Sequence, residues 1–271
     1  MTSSTESTTN HSVLAVVGGG NMGAALVGGL LSAGVVAPSG VVIVEVSAER
    51  RAHLVAAFPG VTVTESIPAC SEALIAVKPP DVAAACTAAV AAGARRVLSI
   101  AAGITIARLE SASGPGVAVV RAMPNTPALV GEGASAIAAG TSATDADVAW
   151  AERILGSVGL VVRVAEDRLD AVTGLIGSGP AYLFLVAESL MAAGRAEGLG
   201  DDVIDAMVRQ LFTGAARLLA DGDDPADLRV RVTSPGGTTA AGLAVLDGRG
   251  VREAFVGAVA AATARSRELG S

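Results

Sequence analysis

The chain is poor in the side chains that usually carry protons or pair with anions. Among 271 residues, Lys78 is the one lysine beside 18 arginines, and His11 and His53 are the two histidines. From residue 166 to residue 271 there is neither lysine nor histidine. Aromatics make up 2% of the chain, so a core has to be built from Ala, Val, Leu and Ile. Two cysteines, Cys70 and Cys86, make no disulfide framework and suit a reducing compartment, with the cytoplasm as the expected location. A net charge of -7 argues against nucleic acid and against an anionic membrane surface as partners. Residues 1–11 read as a disordered polar tail without the charged start of a secretory signal. His11 to Val44 carries no charge, which by length alone suggests a membrane span. Eight glycines and Pro38 break residues 14–44 into short groups, which a strand–turn–helix–strand unit explains better.

What is present falls into two patterns. Up to residue 165, short β-branched runs at 13–18, 41–46, 73–77, 96–100, 117–121, 135–138 and 160–164 alternate with Ala-rich helical patterns. The helical patterns lie at 22–33, 48–57, 81–91, 105–111 and 145–157. That alternation predicts an α/β fold, a Rossmann doubly wound parallel sheet over residues 12–165. After residue 166 the strand signals stop, and helical patterns cover 169–197, 201–220, 238–247 and 250–268. An all-helical C-terminal domain over 166–271 is expected. It is too small and too poor in aromatics to stand alone, so it points to a homodimer through this domain.

Val-Leu-Ala-Val-Val-Gly-Gly-Gly-Asn-Met-Gly places G-x-G-x-x-G at Gly18, Gly20 and Gly23, between a strand and a helix. In that setting the motif is a dinucleotide fingerprint: a tight turn, a close backbone approach to a pyrophosphate, and close helix–strand packing. Asn21 and Met22 lie within the same loop. At the end of the second strand, Glu45 is placed to take a ribose 2′-hydroxyl, whereas Ser47, Arg50 and Arg51 are placed to take a 2′-phosphate. The cofactor therefore stays open between NADPH and NADH. Further strand ends should flank its nicotinamide half: Ala76, Val77, Lys78 and Pro79; Ala101, Ala102 and Gly103; and Asn125 within Met-Pro-Asn-Thr-Pro.

A dehydrogenase that reduces a ketone generally needs a proton donor near the carbonyl oxygen. With no Lys or His after residue 166, a carbon–nitrogen double bond is the better substrate, since a protonated imine needs hydride alone. Ser-Pro-Gly-Gly-Thr-Thr at 234–239 puts Gly236 and Gly237 just before a helical pattern, at a cost of about 1 kcal/mol per glycine in a helical turn. A small-molecule carboxylate bound at the helix N-terminus accounts for them, with Ser234, Thr238 and Thr239 adding hydroxyls. Glu166, Asp167 and Asp170 read as a solvated connection between domains rather than an acid–base pair. No metal is required.

The ordered set Gly-x-Gly-x-Met (18–22), Ala-Val-Lys-Pro (76–79), Met-Pro-Asn-Thr-Pro (123–127), Asp-Ala-Val-Thr-Gly-Leu-x-Gly-Ser-Gly-Pro-Ala-Tyr (170–182) and Val-Thr-Ser-Pro-Gly-Gly-Thr-Thr (232–239) resembles the pyrroline-5-carboxylate reductases. The resemblance covers residues 13–268. It implies reduction of 1-pyrroline-5-carboxylate to L-proline, the last step of proline biosynthesis, in a dimer that in some members assembles into a decamer. It implies that Ser234, Gly237 and Thr238 hold the substrate carboxylate and that Thr239 contacts the ring nitrogen. It also implies cofactor contacts from Gly18–Met22, Ala76–Pro79 and Ala101–Gly103. Two rivals remain: a β-hydroxy-acid-type dehydrogenase, and a non-catalytic nucleotide-binding regulator.

Overall fold

The Val-rich run that opens the first pattern forms β1 (Leu14–Val17), and every residue of it is buried. Leu14 and Val16 point into one apolar cluster while Ala15 and Val17 point into another, so both faces of the strand are covered. Two-sided burial is what allows a run without polar alternation to be a strand. The computed structural model describes residues 13–270. The polar tail expected at 1–11 lies outside the described residues.

From β1 the chain runs through α1 (Asn21–Ser32), β2 (Val41–Val44), α2 (Ala48–Ala57), β3 (Thr62–Thr64), β4 (Glu72–Ile75) and α3 (Val82–Ala91). It continues through β5 (Arg96–Ser99), α4 (Ile106–Ser113), β6 (Ala118–Met123), β7 (Gly133–Ala139), α5 (Asp145–Gly156) and β8 (Gly159–Arg163). Then come the short α6 (Leu169–Val172), a π-helical turn at Thr173–Gly177, α7 (Gly179–Ala196), α8 (Asp201–Ala220), α9 (Pro225–Arg231), α10 (Thr238–Gly248) and α11 (Val251–Gly270).

The eight strands form one sheet in the order β3-β2-β1-β4-β5-β6-β7-β8. All neighbours are parallel except β6 and β7. The reversal follows from the connection. Between Met123 and Gly133 the chain has only a short 3-10 turn, Thr126–Val130, and a parallel crossover needs a dozen residues or more. Strand order reverses between β1 and β4, the place where a doubly wound sheet opens a crevice at the strands' carboxyl ends.

Contacts divide the chain into two units, one running to Gly177 and including Ala262 onward, the other Ser178–Ala261. In the second unit Ile204 is the one buried side chain among the described residues. Phe184 is 64% exposed, Met207 66% and Val256 72%, on helices α7, α8 and α11. Apolar exposure on that scale marks a surface made for a partner rather than for water.

Candidate functional site

The carboxyl ends of β2, β1, β4, β5 and β6 lie along one edge of the sheet. That edge gathers the stretches predicted to meet a dinucleotide: Glu45 and Ser47, Gly18–Gly23, Ala76–Pro79, Ala101–Gly103 and Asn125. Gly18 has φ +106° and donates its N–H to Val44 O at 2.8 Å. A Cβ there would stand 2.5 Å from the Ala76 carbonyl oxygen, and a Cβ at Gly23 would stand 2.1 Å from the carbonyl oxygen of Gly18. Those two glycines are required by packing alone.

Gly20 is different. Its backbone is extended, at φ -64° and ψ -173°, and nothing lies within 4 Å of where a Cβ would project. Gly20 is the N-cap of α1 and makes no side-chain capping bond, so the first-turn N–H groups are left for another acceptor. Open space, uncapped donors and the positive end of a helix together fit a pyrophosphate. Asn21 is exposed and Met22 half-buried at the start of that helix.

At the end of β2, the Glu45 carboxylate accepts the N–H of Gly19 on Oε2 at 3.1 Å and that of Ser47 on Oε1 at 2.9 Å. The Ser47 hydroxyl caps α2 by accepting the Arg50 N–H at 3.3 Å. Gly19 was not singled out by the motif, whose middle position admits any residue, yet its N–H joins the loop to Glu45. Lys78 is exposed where β4 gives way to a 3-10 turn at Pro79–Asp81. Ala101 and Gly103 are buried and Ala102 is exposed. Gly103, at φ +74°, leaves no more than 3.3 Å between a Cβ and Leu269.

Asn125 is committed to the backbone on both sides of its amide. Its Oδ1 accepts the Ala134 N–H at 2.8 Å and its Nδ2 donates to Ile176 O at 3.1 Å. It therefore fastens the loop after β6 to the π-helical turn.

Sequence reasoning gave no role to Arg121, which lies inside β6 and is 6% exposed. Its guanidinium pairs with Glu166 at 3.0 Å and approaches Asp170 at 4.0 Å. Glu166 Oε1 also accepts the Ile106 N–H at 2.6 Å, and Asp170 Oδ1 accepts the Ser266 hydroxyl at 2.6 Å. The solvated connection expected at 166–170 is thus corrected for these two carboxylates, which pack around a buried cation. Asp167 remains exposed, 3.7 Å from the exposed Arg168.

In the second unit, Gly236 has φ +67°, and Gly237 is the N-cap of α10 without a side-chain capping bond. A Cβ on Gly237 would stand 2.4 Å from Ser234 Oγ. The Gly237 N–H donates to Ser234 O at 3.0 Å, which closes the turn. Thr238 and Thr239 are the first two helical residues, both exposed, as is Ser234. A left-handed turn followed by a helix N-terminus without a side-chain cap leaves first-turn N–H groups and the positive end of the helix for an anion.

Comparison with known proteins places both halves. Residues 13–103 match the family described as NADP oxidoreductase coenzyme F420-dependent, and residues 166–269 match pyrroline-5-carboxylate reductase dimerisation. A pyrroline-5-carboxylate reductase of Synechocystis is 40% identical over 95% of this chain and 98% of its own, and one of Corynebacterium melassecola is 39% identical over the same shares. The solved pyrroline-5-carboxylate reductase of Coxiella burnetii superposes with a TM-score of 0.88 at 33% identity, covering 97% of this chain and all of its own. The Plasmodium falciparum pyrroline carboxylate reductase, solved with NADP bound, gives 0.84 at 28% identity, covering 96% of this chain and 98% of its own. The chain belongs to the pyrroline-5-carboxylate reductase family.

Proposed function

We propose that this protein reduces 1-pyrroline-5-carboxylate to L-proline with NADPH or NADH. The observation that carries the reading is the Gly236–Gly237 turn opening onto the uncapped N-terminus of α10. A carboxylate there receives the free N–H groups of the first turn of α10, with hydroxyl donors from Ser234 and Thr238, while the Gly237 N–H stays on Ser234 O and keeps the turn closed. The Thr239 hydroxyl orients the ring nitrogen. No Lys or His follows residue 166, and none is needed, because the C=N bond arrives protonated from solution. When bound, the reduced nicotinamide supplies a hydride to the ring carbon of that bond. The nitrogen is left as a neutral amine and takes its second proton from water.

The glycine loop holds the dinucleotide through the open approach at Gly20 and the first turn of α1. Ala76–Pro79 and Ala101–Gly103 flank the nicotinamide half, and Asn125 keeps the neighbouring loop in place. The domains are assigned as 12–165 for the dinucleotide and 166–271 for substrate and self-association. The apolar faces of α7 and α8 support a homodimer, and assembly of such dimers into a decamer and a cytoplasmic location complete the reading.

Thr239→Ala tests the assignment of the ring-nitrogen contact. Losing one hydrogen-bond partner of the reacting group should cost about 1–3 kcal/mol of transition-state stabilisation. The expected result is a fall of kcat/KM for 1-pyrroline-5-carboxylate by about five- to 150-fold with the dinucleotide dissociation constant unchanged. Turnover at the wild-type rate removes Thr239 from the mechanism.

A further inference from the structure

The carboxyl end of β2 presents a fixed anionic acceptor. Both oxygens of Glu45 are held, by the N–H of Gly19 and the N–H of Ser47, and each oxygen keeps a further lone pair. The space at position 19 is filled by Leu54 and the Glu45 side chain. A Cβ there would stand 3.3 Å from Glu45 Oε2 and 2.4 Å from Leu54 Cδ1.

The neighbouring cations are turned onto other partners. Arg51 Nη1 donates to the carbonyl oxygens of Glu45 at 2.9 Å and Val46 at 2.8 Å, and its Nη2 pairs with Glu65 at 3.3 Å. Arg50 Nε donates to Gly19 O at 2.7 Å. Arg51 is thus committed to the loop, Arg50 is bonded to it through Nε alone, and the carboxylate is fixed at the strand end where a doubly wound fold places the adenosine ribose.

We propose that Glu45 makes this protein select NADH over NADPH, accepting ribose hydroxyls on its remaining lone pairs and repelling a 2′-phosphate. The inference rests on the dinucleotide half of the function proposed above and sets its cofactor. Arg50, tethered through one nitrogen, is the residue that would favour the phosphate, so it serves as the control.

The test is calorimetric titration of the full chain with ADP-ribose and with its 2′-phosphorylated form, then with NADH and NADPH, with no substrate present. The unphosphorylated member of each pair should bind at least about tenfold tighter, the scale of hydrogen bonds to a charged acceptor. Glu45→Gln should bring the ratio towards one by strengthening the 2′-phosphorylated ligands, and Arg50→Gln should leave the preference for the unphosphorylated ligands standing. Equal or reversed preference in the wild type, or an unchanged ratio in Glu45→Gln, overturns the proposal and leaves the reductase reading intact. Binding of none of these ligands overturns both together. Should Glu45→Gln fail to fold, the wild-type ratios decide alone.

Discussion

Gly18→Ala should lose about 3 kcal/mol of stability, through two separate faults. The backbone at φ +106° lies outside what alanine adopts comfortably, and its methyl would stand 2.5 Å from the Ala76 carbonyl oxygen. That oxygen belongs to backbone just beyond β4, so relief requires the loop itself to shift. Because the loop carries the first turn of α1, dinucleotide affinity should fall with stability. Gly20→Ala separates the two effects. Nothing lies within 4 Å of its Cβ direction and its φ of -64° suits any residue, so the fold should lose no more than about 1 kcal/mol from the poorer N-cap. Affinity for the dinucleotide should nevertheless fall by at least about tenfold, because the methyl occupies the approach to the pyrophosphate. Thermal melts at fixed protein concentration and titration with NADH read the two quantities. A Gly20→Ala protein that binds as well as wild type would show that this glycine serves something other than a ligand.

Arg121→Met should destabilise by about 2–4 kcal/mol, less than for a fully enclosed ion pair because Glu166 is 35% exposed. The loss comes from what is left behind. Glu166 and Asp170 would face each other around an apolar side chain, with one N–H and one hydroxyl as their remaining partners. Replacing the carboxylates as well, with Glu166→Gln and Asp170→Asn, should recover part of the loss, since a desolvated charge no longer lacks its counter-ion. Chemical denaturation of the single and triple variants gives the comparison. A neutral Arg121→Met would mean that the cation contributes nothing net, and that the contacts to Ile106 and Ser266 hold this region by themselves.

The centre of the sheet was legible because strands such as β1 and β2 are buried along their whole length and read as unbroken apolar runs beside glycine. The strand that escaped, β3, has three residues at the sheet edge, too short a run for periodicity to register. Helix α9 escaped for an instructive reason. Asp-Asp-Pro at 223–225 reads as a breaker, yet Asp224 caps a helix by accepting the Ala226 N–H at 2.7 Å, and Pro225 is its first residue. Proline in the first turn starts a helix as readily as it ends one. The glycine loop and the 234–239 turn were visible as clustered glycines just before a helical pattern. The helical cost does not apply, since Gly20 and Gly237 are N-caps and Gly236, at φ +67°, precedes the helix. Arg121 was not visible, because its partners lie more than forty residues along the chain and only the folded sheet brings them near it. For the same reason the bonds that fix the Glu45 carboxylate against Gly19 and Ser47 were out of reach of the sequence.

Reduction of a cyclic imine acid by a protein without a lysine or histidine in its second half should be visible in turnover. The measurement is nicotinamide absorbance over time, with the purified protein, 1-pyrroline-5-carboxylate and NADH or NADPH in turn, and with proline measured as product. Rapid oxidation with stoichiometric proline is the expected result. A folded protein that binds dinucleotide but oxidises none in the presence of 1-pyrroline-5-carboxylate would contradict it and mark the chain as a nucleotide-binding regulator instead.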